Sequence, residues 1–590
     1  MEFIKKINLT EQIKKIEFTK VINEIKMLIP EKLKNPETWA TLVRRLIYIV
    51  CFVWFCKINQ TIDTVMVPEQ DAVRNYTILI MGFISLTAYR FKDFIKTPYF
   101  LWIVGFFLMK DHAMDWAREN AENLGRYEAN AWIVGIYGLL AIRMFYLFVM
   151  ERKRPRMNWP FFGVWLAMML GMVFSANDET WFLWFFLAFG VFYLTDYSQK
   201  QLNTLFSGMV EGIIISFLYL QFQALLHRPY DTIRYTGMYE NCNMNALFYV
   251  VSYLAVLGKW YLMKLKQRNF LLQIPLAVLA GVLWALTVFT MCRTALISMA
   301  VFTVLFVVFQ VISRKKGRVL EFVVDCAMLL LAIILTFEPT YNLVRYIPAY
   351  NNDPIYFAWE SKTKKIQVDE AFDSEKYVEF DEMMEEAFGR IANLKGILGK
   401  SVSNILFPPL QVHAAENGDQ PSYIFEDVGA MWEELRGTDP RYPMLENPKD
   451  GNDSVKIREA IWEYYCSHFN LRGHNSEQNQ VWVTATYLAP HAHNMFIQIA
   501  YDHGILVGLL FIAVIGMTAF MVVRAMYRHR QGALYYRMFM VAGILVIFVT
   551  FGMFEICWRF GHVSFILLFM AFRVMCHRDE PKRITVEKGK

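Results

Sequence analysis

The chain has 590 residues, of which 56% are hydrophobic, 16% aromatic and only 19% charged, and its mean hydropathy is +0.28. Soluble proteins carry about 45–50% apolar and about 25% charged residues, so a soluble multidomain protein is excluded, as are disorder, collagen and coiled coil. The net charge is +6, but residues 338–490 hold 14 basic against 25 acidic side chains, which leaves a strongly basic remainder of the kind that flanks spans in cytoplasmic loops rather than one that binds nucleic acid.

In chain order, residues 1–45 come first as a cytoplasmic segment. Ile4, Ile7, Ile13, Ile16, Val21, Ile22 and Ile25 alternate there with Lys5, Lys6, Lys14, Lys15, Lys20 and Lys26, which suits an amphipathic helix on the inner leaflet. A frayed basic tail fits the same residues. No apolar core precedes a small-residue cleavage site, so no signal peptide is expected. The first transmembrane block, 46–337, contains apolar cores at 46–56, 76–89, 99–109, 132–150, 159–174, 181–194, 205–226, 246–262, 270–289, 295–312 and 319–337. Residues 338–490 form one large outer loop, expected to be mainly helical. The second block, 491–576, adds cores at 504–523, 538–554 and 563–575, and 577–590 is a cytoplasmic tail. These cores predict an all-α polytopic membrane protein with about 12–14 transmembrane helices.

Alternate short connectors are rich in Lys and Arg, as in Arg152, Lys153, Arg154 and Arg156 or Arg314, Lys315, Lys316 and Arg318; one set carries 19 basic residues and the other 9. The positive-inside rule then puts both termini in the cytoplasm and the 338–490 loop outside. The eight cysteines are scattered, with only Cys466 in the large loop, so neither a disulfide framework nor a CxxC metal site is implied.

Several polar residues go against this charge bias. Arg228, Arg234, Arg293 and Arg559 fall in outer connectors, with His491 and His493 before one span and Glu555 and His562 near another. One interfacial Arg is ordinarily a snorkelling anchor, but several helix ends offering guanidinium and imidazole on one face suit a pocket for an anionic, lipid-borne group. Glu211 and Asp325 lie inside apolar spans, where a charge is costly; pairing between helices is the expected reading and a proton path the alternative.

The run Pro490-His491-Ala492-His493-Asn494-Met495 with Asp502-His503-Gly504 downstream resembles the hallmark of the bacterial O-antigen ligase and O-antigen polymerase family, in which a His-Asn pair precedes an apolar helix and an acid and glycine follow. Arg234 to Gly237 with Asn241 and Asn243 is similar to that family's Arg-x-x-Gly loop ending in Asn-x-Asn. Cys292-Arg293-Thr294-Ala295-Leu296 looks like its Ser-Arg-Gly-Ala-Leu helix start, and Arg458 with Trp462 like its Arg-x-x-x-Trp. The chain departs from the pattern at Gly504 to Gly508, where the Gly-x-x-Gly is stretched, and at Gly473-His474, where Gly-x-Gly stood.

The resemblance implies a bacterial plasma-membrane glycosyltransferase that moves a saccharide from an undecaprenyl-pyrophosphate carrier to a hydroxyl of a saccharide or lipid-glycan acceptor outside the cell. No cofactor or obligatory metal is implied. His493 would be the general base, a task that imidazole side chains as a class suit because free imidazole titrates near ~6.5. Arg234 and Arg293 would hold the pyrophosphate and absorb its charge as the C1–O bond breaks, and a single displacement inverts the anomeric carbon. Asn494 would cap the helix or orient the imidazole, with His491, Arg458 and Arg559 as secondary contacts. Polymerase and ligase share these motifs. Two other readings are a metal-dependent glycosyltransferase using Glu69 and Asp71 in an outer loop, with Asp111 and Asp115 in the next, and a transporter of polysaccharide or lipid.

Overall fold

The computed structural model describes residues 36–350, 355–359, 366–369, 384, 454–489 and 491–576. Within these it leaves out the short connecting stretches 65–66, 121–123, 154–156, 178–180, 227–229, 232–233, 240, 266–269, 314–318, 476–479, 483–487, 529–532 and 556–561. The amphipathic segment expected before residue 36, and most of the large loop, lie outside the described residues.

The chain is an all-α polytopic membrane protein. Its first helices are α1 (Pro36–Thr64), α2 (Val67–Leu86), α3 (Thr97–Asn120), α4 (Leu124–Phe145), α5 (Trp159–Val173), α6 (Trp181–Leu194) and α7 (Gln199–Leu226). There follow α8 (Cys242–Leu265), α9 (Ile274–Phe289), α10 (Arg293–Ser313) and α11 (Val319–Tyr350). From the large loop come α12 (Ser454–Ser467), then α13 (Met495–His503), α14 (Ile505–Arg528), α15 (Ala533–Gly552) and α16 (Val563–Cys576). Three short antiparallel hairpins accompany them: β1 (Tyr230–Asp231) with β2 (Arg234–Tyr235), β3 (Ile355–Trp359) with β4 (Ile366–Asp369), and β5 (Val481–Trp482) with β6 (Leu488–Ala489).

All fourteen apolar cores fall on helices, but helix length and core length part company. Among the described residues eight helices are long and apolar enough to cross a membrane, and five shorter apolar ones stand among them. α1 begins at Pro36, ahead of its apolar core, and α11 runs on past Phe337 to Tyr350. Local chemistry sets several starts. Proline occupies the first turn of α5 and α9, where its missing N–H costs nothing. Ser198 and Gln201 exchange backbone contacts at 2.8 and 3.2 Å as a reciprocal cap on α7.

α8 and α15 are the most enclosed spans and pack against each other, with α7, α9 and α10 around α8 and α10, α14 and α16 around α15. α1 lies along α7, α9 along α11, and α5 along α14. The buried interior is aromatic: Trp165 stacks between Phe162 and Phe186 at 5.5 and 5.6 Å, and Phe185 stacks on Phe565 at 4.8 Å.

The two acids that fall inside apolar spans are both paired. Glu211 on α7 accepts from Arg45 Nε of α1 at 2.6 Å and also meets Lys259 of α8. Asp325 of α11 meets Lys264 of α8, which also donates to Gln310 Oε1 at 2.9 Å. Both acids therefore join helices. Arg573 of α16, 1% exposed, donates to the carbonyls of Tyr193 and Thr195 at the end of α6, between the rings of Phe192 and Tyr197. A guanidinium there supplies donors to carbonyls that a helix end leaves unmatched.

Candidate functional site

Alternation of the spans brings the β1–β2 hairpin, the α9–α10 turn, the start of α13 and the residues after α15 to one end of the bundle. Arg234, in β2, donates from Nε to the Thr290 carbonyl at 2.9 Å and from Nη2 to Asn243 Oδ1 at 2.8 Å. Both acceptors are neutral, and no carboxylate pairs with Arg234 among the described residues. Asn243 passes the contact on: its Nδ2 donates to Glu555 Oε1 at 3.0 Å, and Arg458 Nη2 reaches the same oxygen at 3.1 Å. The other oxygen of Glu555 stands 3.7 Å from His493 Nδ1. Glu555 is thus the hub, its side chain 10% exposed and that of His493 18%.

The backbone around His493 is built for this position. Asn494 is the N-cap of α13, its Oδ1 accepting from Phe496 N and Ile497 N at 3.0 and 3.2 Å while Nδ2 donates to the Met553 carbonyl at 3.2 Å. His493 has φ +49°, a left-handed conformation that a side chain with Cβ enters at a cost of about 1–3 kcal/mol. Its neighbours hold it there. Ala492 N donates to Gln498 Oε1 at 2.7 Å, Gln498 Nε2 donates to Asp502 Oδ1 at 2.8 Å, and the Ala492 carbonyl accepts from Trp462 Nε1 at 2.8 Å. His491 packs edge-on to the His493 ring at 4.3 Å and accepts its backbone N–H at 3.3 Å.

The α9–α10 turn has the same character. Met291 has φ +53°, Thr290 Oγ1 accepts from Cys292 N at 3.3 Å, and Arg293 then opens α10. Cys292, next to Arg293 in the chain, is buried close enough to Arg234 and Glu555 to feel both charges.

Of the residues singled out in the sequence, His493, Arg234, Arg458, His491 and Asn494 meet here, and Arg293 begins the helix beside them. Arg458 spends its charge on Glu555 and so ties α12 to the cluster. Arg228 and Arg559 lie outside the described residues. His562 is buried just before α16. Glu69 and Asp71, expected in a loop, belong to the first turns of α2, because the helix starts before the apolar stretch does. Asp111 and Asp115, likewise expected in a loop, are exposed on α3, where Asp115 pairs with Arg118 at 3.1 Å. Among the described residues no group of three or more His, Cys, Asp or Glu side chains is placed to hold a metal ion.

The parts that sequence reasoning did not supply are Glu555 as hub, Asn243 as bridge and Gln498 as brace. Gln498 carried a signal, lying four residues from both Asn494 and Asp502 on one helical face. Glu555 carried only its position at a span end, where an acid needs a partner.

Comparison with protein-family models, curated proteins and solved structures finds no match for this chain.

Proposed function

We propose that the protein is a membrane glycosyltransferase that moves a saccharide from a polyprenyl-pyrophosphate carrier to a hydroxyl acceptor on the outer face of the bacterial plasma membrane, in the manner of a polysaccharide polymerase or O-antigen ligase. One observation carries the reading: an imidazole, a buried carboxylate and an arginine with no acidic partner among the described residues lie along a single chain of polar contacts, His493, Glu555, Asn243 and Arg234.

Each group has work in an inverting displacement. His493 takes the proton from the acceptor hydroxyl as its oxygen bonds to the anomeric carbon. The bond from that carbon to the pyrophosphate oxygen breaks, and its electron pair leaves with the diphosphate. Arg234, held by neutral acceptors, keeps its full charge for those oxygens, and Arg293 adds a second fork. Glu555 orients the imidazole and stabilises it once protonated.

The test is incubation of the purified protein with polyprenyl-pyrophosphate-linked repeat units. A ladder from the repeat units alone indicates a polymerase, and product that waits for an added glycan-lipid anchor indicates a ligase. Replacing His493 by Ala is expected to slow transfer about 10²–10⁴-fold, and Arg234→Lys to slow it more than about tenfold, since an ammonium cannot reproduce the fork. Near-normal transfer by folded His493→Ala protein would end this reading.

A further inference from the structure

At the other end of the bundle, α1, the turn after α2 and the start of α7 border an open cavity of about 490 Å³. α7 separates it from the His493 cluster by its 28 residues, or about 42 Å at ~1.5 Å per residue. The cavity is of the size that small ligands occupy, about 300–1,000 Å³. Arg44, Arg90 and Lys200 line it together with Glu37 and Asp93.

The charges do not cancel. Lys200 faces Glu37 at 3.8 Å, both well exposed, so that pair is weak. Asp93 accepts the backbone N–H of Arg90 at 3.0 Å rather than its guanidinium. Arg44 is steered by one bond, Nε to the Thr87 carbonyl at 3.0 Å, which leaves its terminal nitrogens for another partner. Among the described residues no carboxylate pairs with the guanidinium of Arg44 or Arg90. The N-terminus of α7 is already capped by its own Ser198 and Gln201, so recognition here falls to the two forks.

We propose that this cavity is a phosphate-binding site, and that it holds the phosphate of an anionic lipid headgroup. The guanidinium fork matches phosphate oxygens bidentately. The lining residues Glu37 to Arg44 and Ser198 to Thr204 stand at the first turns of two helices long and apolar enough to cross a membrane, Glu37–Ile58 and Gln199–Leu226, which sets the cavity at the level of lipid headgroups. The site is independent of the transferase reading and sits at the opposite end of the molecule.

The test uses full-length protein in neutral detergent and native mass spectrometry. Phosphatidylglycerol is expected to be retained in preference to phosphatidylcholine, and its binding to weaken at least about tenfold in the Arg44→Gln, Arg90→Gln double variant. Arg90→Glu alone is read beside it, because Arg44 also supports the Thr87 carbonyl and its loss could disturb folding. Arg118→Gln, at the other end of α3, is the control and should bind as the parent does. Inorganic phosphate is titrated in a separate arm. Saturable binding there that needs the same arginines, with no lipid preference, keeps the phosphate site and assigns it to a soluble ligand. Unchanged phosphatidylglycerol binding in both arginine variants, or an equal loss in the control, overturns the site.

Discussion

His503 ends α13 with Nδ1 2.8 Å from the Ser175 hydroxyl and its ring edge-on to Phe182 at 4.2 Å. It is 1% exposed, and burial pushes its pKa down from 6.5 to about 3, since an enclosed imidazolium has lost its water. An unfolded chain therefore binds a proton at this residue between those two values and the folded protein does not. The stability that this neutral histidine contributes is complete above pH 6.5 and drains away as the pH falls toward 3. At pH 5 the loss amounts to about 2 kcal/mol. Melting curves of the solubilised protein at pH 7.5 and 5.0 check this: the parent should lose stability, and His503→Gln should lose less. An equal loss in both would mean that another group is responsible. His493, ten positions earlier, is partly open and next to a carboxylate. The two histidines belong to one legible run of sequence, yet spacing does not say which of them the folded chain encloses.

Helix pairs follow the same logic of local fit. Gly208 and Gly212 are four apart on α7, and a Cβ at either would stand 2.5 Å from Tyr48 Cβ or 2.8 Å from the Ile49 carbonyl of α1. Small residues at this spacing let two membrane helices approach closely. The approach in turn lets Arg45 reach Glu211, a partner 166 positions away. Hydropathy predicts both spans, and the cost of an acid in a span predicts that Glu211 is paired. Neither says with what, because the pairing depends on how α1 and α7 cross. A substitution separates the effect of crossing from that of propensity. At Gly163 on α5 an added Cβ would meet no atom within 4 Å, so Gly163→Ala should leave stability unchanged or raise it, by up to about 1 kcal/mol. Gly212→Ala should lower it by about 1–3 kcal/mol through overpacking. Unfolding of the two variants under identical detergent conditions gives the comparison, and matching effects would show that the α1–α7 crossing yields freely.

For the molecule as a whole, the legible part is what composition controls. Runs of apolar residues announce spans, and all fourteen lie on helices. Helix ends were less legible, because α1 and α11 extend through polar residues that hydropathy discounts. The site was half legible. His493, Arg234 and Arg458 stand out by residue type and position, but the carboxylate that links them comes from the far end of α15, and its role exists only once five segments have met. The left-handed backbone at His493 had no signal in the sequence, since it is imposed by contacts from Trp462 and Gln498 on either side.

Arg573 has a consequence for how the protein is made. The carbonyls that it satisfies belong to a helix synthesised some 380 residues earlier, so the nascent chain carries that polar defect through most of translation. Only when α16 leaves the ribosome can the defect be closed, which makes this helix a checkpoint for quality control rather than an accessory. A chain stopped after Gly552 is expected to enter the bilayer and then be degraded within a few generations, whereas the chain that includes α16 persists. Pulse-chase labelling of the two would reveal the difference, and equal lifetimes would show that the early helices mature without their late partner.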